Sequence, residues 1–224
     1  MGYFTVMNKG VFFDFDGVIV NSEVQHIGFI TEFLNKENIS IPVEEIYVMI
    51  GGNAKMDSWR DIYNRHLDQF RYDYETFKKK RREYCQNRIN ESDYSEILFD
   101  DVKETLKTLK ANGYYVALCS SSPMEYLKQK LDQCKITQFF DVVLSGEDFV
   151  KSKPDPDIYL TCLKMSGLNK NDVFVVEDSP YGIKAAKAAG LKTIVKKDYI
   201  FGLDQSGGDY YIDRLSQIMT LLDS

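Results

Sequence analysis

Short apolar runs alternate with amphipathic stretches along most of the chain. Val11-Phe12-Phe13-Asp14-Phe15 reads as a buried strand that ends in carboxylates, and Tyr114-Tyr115-Val116-Ala117-Leu118-Cys119 as a second. Phe140-Asp141-Val142-Val143-Leu144, Val173-Phe174-Val175-Val176 and Thr193-Ile194-Val195 follow, and Tyr210-Tyr211-Ile212 is a weaker sixth. Between them, helical spacing covers 102–112, 124–133, 156–166 and 180–189. Strands of this apolar kind alternating with helices predict βαβ units around a parallel sheet. The stretch 21–92 breaks the pattern. Ile27, Ile30, Phe33 and Leu34 recur at helical spacing, β-branched clusters are scarce, and Pro42, Gly51 and Gly52 interrupt the run. It reads as consecutive helices inserted after the first strand. The predicted fold class is therefore α/β: a Rossmann-like three-layer sandwich formed by 1–20 and 93–224, carrying an α-helical cap over 21–92. In such sheets ligands bind outside the carboxyl ends of the strands. An insertion there would lie over the site and could act as a lid.

Composition sharpens this picture by exclusion. Of 224 residues, 44% are hydrophobic and 28% charged, the proportions of a globular protein and not of a disordered chain. The formal net charge of -6 repels phosphate backbones, so a nucleic-acid partner is not expected. No apolar run is long enough for a membrane span. The N-terminus shows no charged region followed by an apolar stretch, and Val6 stands where a myristoylation start requires Ser or Thr. Cys85, Cys119, Cys134 and Cys162 lack metal-ligand spacing and read as reduced core thiols. The expectation is a cytoplasmic monomer.

The chemistry gathers at the strand ends. Asp14 and Asp16 stand two apart before Gly17, so both could point to one mouth. Two carboxylates there repel unless a cation or a proton intervenes. The second strand runs into Ser120-Ser121-Ser122, Lys153 follows the third, and the fourth runs into Glu177-Asp178-Ser179-Pro180-Tyr181-Gly182. Each group has a bland alternative. Ser121 or Ser122 could cap a helix, as Ser179 does on this reading, and the others could be loop residues. That all four lie at the matching position of successive units argues against coincidence.

Together these residues resemble the haloacid dehalogenase-like hydrolase superfamily, in its phosphatase and β-phosphoglucomutase-like branch. Asp14-Phe15-Asp16-Gly17-Val18-Ile19 is similar to the first motif, Ser120 to the second, Lys153 of Lys-Pro-Asp-Pro-Asp to the third, and Glu177-Asp178 to the fourth. The resemblance implies a Mg2+ cofactor, Asp14 as nucleophile, and Asp16 as the group that protonates the leaving group and later activates water. It implies metal ligation by Asp14, the backbone carbonyl of Asp16, and Asp178, with Glu177 holding a water. Lys153 would neutralise charge, and Ser120 would bind phosphoryl oxygens.

The same resemblance separates branches. Dehalogenases lack an Asp at the position of Asp16, because a halide leaves without a proton. Lys55 lies where phosphonate-cleaving relatives place a Schiff-base lysine, but those relatives also lack the second Asp. The expected substrate contacts are Lys55, Gly52 and His26 on the cap, with Ser121 and Ser122 on the core. β-Phosphoglucomutases are similar at His26, Gly52 and Lys55. However, Pro123 and Met124 offer no side-chain donor for a second phosphate, and Asn21 replaces an acidic residue. The balance points to hydrolysis of a small phosphorylated metabolite, a sugar phosphate or similar. The alternative is a mutase interconverting β-glucose 1-phosphate and glucose 6-phosphate. An inactive phosphate-binding module ranks below both. Trp59, Tyr47 and Tyr63 fit cap packing better than a sugar-binding face, the run Lys78–Arg82 a solvated helix, and Gly190 a helix C-cap.

Overall fold

The computed structural model describes residues 9–50 and 58–222. In chain order the strands are β1 (Gly10–Phe13), β2 (Tyr115–Ser120), β3 (Val142–Ser145), β4 (Val173–Glu177), β5 (Lys192–Lys196) and β6 (Tyr210–Ile212). The helices are α1 (Ser22–Lys36), α2 (Val43–Ile50), α3 (Ser58–Arg65), α4 (Tyr74–Glu91), α5 (Val102–Ala111), α6 (Met124–Cys134), α7 (Asp157–Ser166), α8 (Pro180–Ala188) and α9 (Ile218–Leu222). The six strands form one sheet in the order β3-β2-β1-β4-β5-β6, and every pairing is parallel. This is the order of a doubly wound Rossmann-like fold.

Alternation along the strands builds the two helix layers. Val11 and Phe13, Val116 and Leu118, and Phe174 and Val176 join Leu106, Leu109, Leu127 and Leu131 of α5 and α6 in one core. Phe12, Ala117, Cys119, Val173 and Val175 face the other way, onto Ile158, Tyr159 and Cys162 of α7 and Ala185 and Ala186 of α8. Strand residues buried on both faces are the mark of a covered parallel sheet. All four cysteines are free and buried, as expected of core thiols. Gly190, at φ +72, follows the end of α8, and its N–H bonds the Lys187 carbonyl, as a left-handed C-cap residue should.

The chain divides into two compact units. One comprises the chain up to Asn21, Tyr94–Lys197, and the chain from Asp204 onward; the other comprises Ser22–Asp93 and Asp198–Leu203. Besides the expected crossings near 21 and 93, the chain thus enters the helical unit once more, after β5. There Phe201 packs edge-on against Tyr47, with ring centroids 5.6 Å apart. The helical unit has its own core, in which Ile27, Ile30, Phe33 and Leu34 of α1 meet Phe77 and Cys85 of α4. Tyr63 is buried here and donates its hydroxyl to the Tyr72 carbonyl at 2.7 Å, and Trp59 packs on Phe77, so both belong to packing. The basic run on α4 is not merely solvated. Arg81 stacks over Trp59 at 4.3 Å, Lys80 lies over Tyr72 at 4.6 Å and pairs with Glu37, and Lys79 pairs with Glu83. Its cationic heads cover the aromatic core rather than waiting for an anion. No helix among the described residues is long and apolar enough to cross a membrane.

Candidate active site

The site forms where the strand order reverses, between β1 and β4. Phe13 pairs with Val176, and the Asp14 N–H continues the ladder to the Val176 carbonyl at 3.0 Å. Register alone therefore sets Asp14 beside Glu177. Asp14 is 8% exposed, and Glu177 is fully buried. Into this pair runs the ammonium of Lys153, whose side chain is 5% exposed. Its Nζ donates to Asp14 Oδ1 at 2.6 Å, to Glu177 Oε1 at 2.6 Å, and to the Cys119 carbonyl at 2.8 Å. One cation thus bridges two carboxylates and the end of β2. Burial alone would push the lysine pKa down, but Asp14 and Glu177 outweigh it and hold the ammonium charged well above the ordinary lysine value. Asp14 moves the other way. Burial dominates there, Glu177 and Asp16 add repulsion, and Lys153 opposes both, so its pKa is pushed up to about 8.

Glu177 is locked from every side. Besides Lys153 it accepts from the Tyr159 hydroxyl at 2.6 Å, from the Asp178 N–H at 3.2 Å, and from the N–H and hydroxyl of Ser179. Tyr159, on α7, is a site residue that strand-end reasoning missed. Its signal in the sequence was only that a buried tyrosine needs a partner for its hydroxyl. Ser179 caps α8 as expected, accepting from the Gly182 N–H at 3.0 Å. Gly182 lets the helix approach, because a Cβ there would fall on the Glu177 carboxylate. Gly182→Ala should therefore destabilise the protein by roughly 1–3 kcal/mol in denaturant unfolding, although Ala ordinarily improves a helix. Equal or greater stability would show that the carboxylate can move aside.

Gly17 plays the matching part on the first loop. Its φ is +73, and a Cβ would collide with the Asp178 carboxylate. Its carbonyl accepts from Lys196 Nζ at 3.0 Å, and Lys196 lies 3.4 Å over the Phe99 ring. Gln205 Nε2 ties the Asp178 carbonyl, at 2.7 Å, to the Lys196 carbonyl. Neither Lys196 nor Gln205 carried a readable signal, since both are fixed by loops far apart in sequence.

Asp14, Glu177 and Asp178 each bring an oxygen within 4.8 Å of the others, a set of hard donors that could hold a cation. The bonds to Lys153, Tyr159 and Ser179 already occupy Glu177, which leaves Asp14 and Asp178 as the better placed ligands. Ser120 is buried, and its hydroxyl accepts from the Ser122 N–H at 3.1 Å. Ser122 does not cap α6. Its hydroxyl donates to Asp16 Oδ2 at 3.0 Å. Ser121 is exposed. Asp14 and Asp16 therefore reach different partners, Lys153 and Ser122. His26 is exposed on α1. Gly52 and Lys55 lie outside the described residues.

A doubly wound sheet whose switch point holds clustered carboxylates, a buried lysine and serine hydroxyls defines an enzyme that handles an anionic group at its strand ends. The haloacid dehalogenase-like hydrolase model matches residues 11–196. The chain is 29% identical over 222 residues to a phosphoglycolate phosphatase of Aquifex aeolicus, covering 96% of each chain. It is 29% identical over 200 residues to the phosphorylated carbohydrates phosphatase of Thermotoga maritima, covering 83% of each. A solved structure described as a "putative beta-phosphoglucomutase" from Thermotoga maritima shares the fold, with a TM-score of 0.76, 24% identity, and coverage of 96% of this chain and 98% of that one. The chain belongs to the haloacid dehalogenase-like hydrolase family, and the relatives it matches lie in that family's phosphatase and β-phosphoglucomutase-like branch.

Proposed function

We propose that the protein is a Mg2+-dependent phosphohydrolase that acts on a small phosphorylated metabolite, a sugar phosphate or similar, through an aspartyl-phosphate on Asp14. The observation that carries this reading is the Lys153 ammonium held at 2.6 Å from Asp14 at the sheet's switch point, and bonded to the carbonyl of Cys119, the residue before Ser120. In the first step an Asp14 oxygen attacks phosphorus while the bond from phosphorus to the leaving oxygen breaks, and Asp16 gives that oxygen its proton. In the second, Asp16 takes a proton from water as the water oxygen attacks phosphorus. The bond to Asp14 breaks, and inorganic phosphate and the free carboxylate are regenerated. Lys153 keeps Asp14 oriented and offsets phosphoryl charge, and the Ser120 hydroxyl binds a phosphoryl oxygen. When held by Asp14, Asp178 and the Asp16 carbonyl, Mg2+ supplies the positive charge that lets a carboxylate approach a phosphate.

The helical unit, counted as 21–92, is assigned the role of a cap that selects the substrate, and His26, Gly52 and Lys55 are its proposed substrate contacts. The phosphatases matched by the chain, one for phosphoglycolate and one for phosphorylated carbohydrates, support a small substrate. The protein works as a cytoplasmic monomer. The fold likeness to a β-phosphoglucomutase structure favours one second reading, transfer of the phosphate back to a sugar. Against it, Ser122 spends its proton on Asp16, and Pro123 and Met124 add no donor.

One assay tests both readings. Free phosphate is followed over a panel of phosphomonoesters, and glucose 6-phosphate is followed from β-glucose 1-phosphate primed with a trace of bisphosphate sugar. Phosphate release that stops with EDTA and returns with Mg2+ is the expected result. Glucose 6-phosphate without matching phosphate would establish the mutase, and no product from any substrate would sink both readings.

A further inference from the structure

We infer that Ser122, held in turn by the buried hydroxyl of Ser145, is a positioning residue that orients Asp16 for proton transfer rather than a ligand of the substrate's phosphate. The inference rests on the phosphohydrolase reading. A serine hydroxyl has one proton to give, and Ser122 gives it to Asp16 Oδ2 at 3.0 Å. It cannot donate that proton to a phosphoryl oxygen at the same time.

The rest of the residue is fixed so that the hydroxyl aims there. The Ser122 N–H donates to Ser120 Oγ at 3.1 Å, and the Ser122 carbonyl accepts from Ser145 Oγ at 2.7 Å. Ser145 is fully buried at the end of β3, directly across the ladder from Ser120. Its hydroxyl is committed as acceptor too, to the Glu147 N–H at 3.3 Å. The next residue, Gly146, packs so closely that a Cβ would stand 2.9 Å from Ser121 Cα. The ends of β2 and β3 are thus clamped together, and the clamp ends on Asp16. With Oδ2 accepting from Ser122, the proton that Asp16 delivers sits on Oδ1. Losing the bond removes a contact that orients the carboxyl, and a misplaced proton donor is costly even when every reacting group is present.

Leaving-group chemistry separates this role from phosphate binding. Water attack on the aspartyl-phosphate needs Asp16 for every substrate, but kcat/KM reports only the steps up to leaving-group departure. There a nitrophenolate departs without a proton whereas an alkoxide needs one, so in that step only the alkyl ester requires an oriented Asp16. The experiment compares kcat/KM for para-nitrophenyl phosphate with that for the best alkyl phosphomonoester of the panel, in wild type, Ser122→Ala, Ser122→Thr and Ser145→Ala. Ser122→Ala should lose roughly tenfold to a hundredfold on the alkyl ester and little on the aryl ester. Ser145→Ala should shift the same ratio less, and Ser122→Thr should restore it. Equal losses on both esters, or no loss on either, would overturn the assignment while leaving the phosphatase reading intact. Wild-type protein that hydrolyses neither ester would instead overturn that reading and this one with it. If Ser122→Ala does not fold, the ratio in Ser145→Ala decides.

Discussion

Asp14→Asn is expected to cut turnover by roughly a thousandfold or more, and yet to make the metal-free protein harder to unfold above about pH 8. The first effect follows from chemistry. An amide oxygen is too weak a nucleophile to displace an alkoxide from phosphorus. The second follows from burial. The folded-state pKa of Asp14 is pushed up to about 8, first by burial and then by Glu177 and Asp16, against the pull of Lys153. In the unfolded chain an aspartate titrates near 4. Between these values the folded state binds a proton that the unfolded state has released, so stability falls as pH rises. Asparagine is neutral throughout. Its advantage should be absent near pH 4, grow through neutrality, and be complete above about pH 8. Each 1 kcal/mol gained corresponds to roughly 2–4 °C for a chain of this size. Mg2+ should reverse the order, raising the melting temperature of wild type more than that of Asp14→Asn, because a ligand that binds only the folded state stabilises it. Thermal unfolding in EDTA and in Mg2+, at both ends of this pH range, checks the prediction. A variant less stable than wild type in EDTA at the alkaline end would show that Lys153, and not burial, governs Asp14.

The strands were legible because most are short runs of apolar residues buried on both faces, a local signal that fades at the edge strands β3 and β6, which are only partly buried. All six lie within one or two residues of their expected places, and α5 to α8 match as closely. Candidate site residues were legible where the fold repeats a position: Ser120 and Glu177 end β2 and β4, Asp14 and Asp178 directly follow β1 and β4, and Lys153 lies in the loop after β3. What escaped were partners supplied from elsewhere. Tyr159 sits on a helix whose pattern reads simply as apolar, and Ser145 lies just past the apolar run that marks β3. Gln205 and Lys196 act through backbone carbonyls that no side-chain pattern reveals. The stretch Asp198–Leu203 joins the helical unit through Phe201, in a segment too short to show periodicity. Ser122 was readable as a hydroxyl near phosphate chemistry, but its choice of Asp16 depends on how β2 and β3 are clamped.

Removing the shared cation should be the most destabilising single change at the site. Lys153→Met leaves Asp14 and Glu177 buried and facing one another, with no charge between them. Breaking a buried ion pair from one side typically costs about 3–5 kcal/mol, because the remaining charge stays desolvated. The loss should be pH dependent with a definite sign. Burial already pushes the Asp14 pKa up to about 8 against the pull of Lys153, and removing the lysine raises it further. The deficit against wild type should therefore be smallest in acid and largest above about pH 8. Turnover should be lost as well, since Asp14 then remains protonated where it must attack. The double variant Lys153→Met with Glu177→Gln separates charge from packing. The glutamine oxygen can keep the bonds from the Asp178 N–H and from the N–H and hydroxyl of Ser179, while its amide takes the Oε1 position, where the Tyr159 hydroxyl can turn to accept from it. Stability should recover by most of the single variant's loss, and turnover should not. Denaturant unfolding of wild type, both single variants and the double variant in EDTA at alkaline pH gives the coupling directly. If Lys153→Met alone matched wild type, the two carboxylates would be relieving each other by sharing a proton, and the lysine would matter only once phosphate arrives.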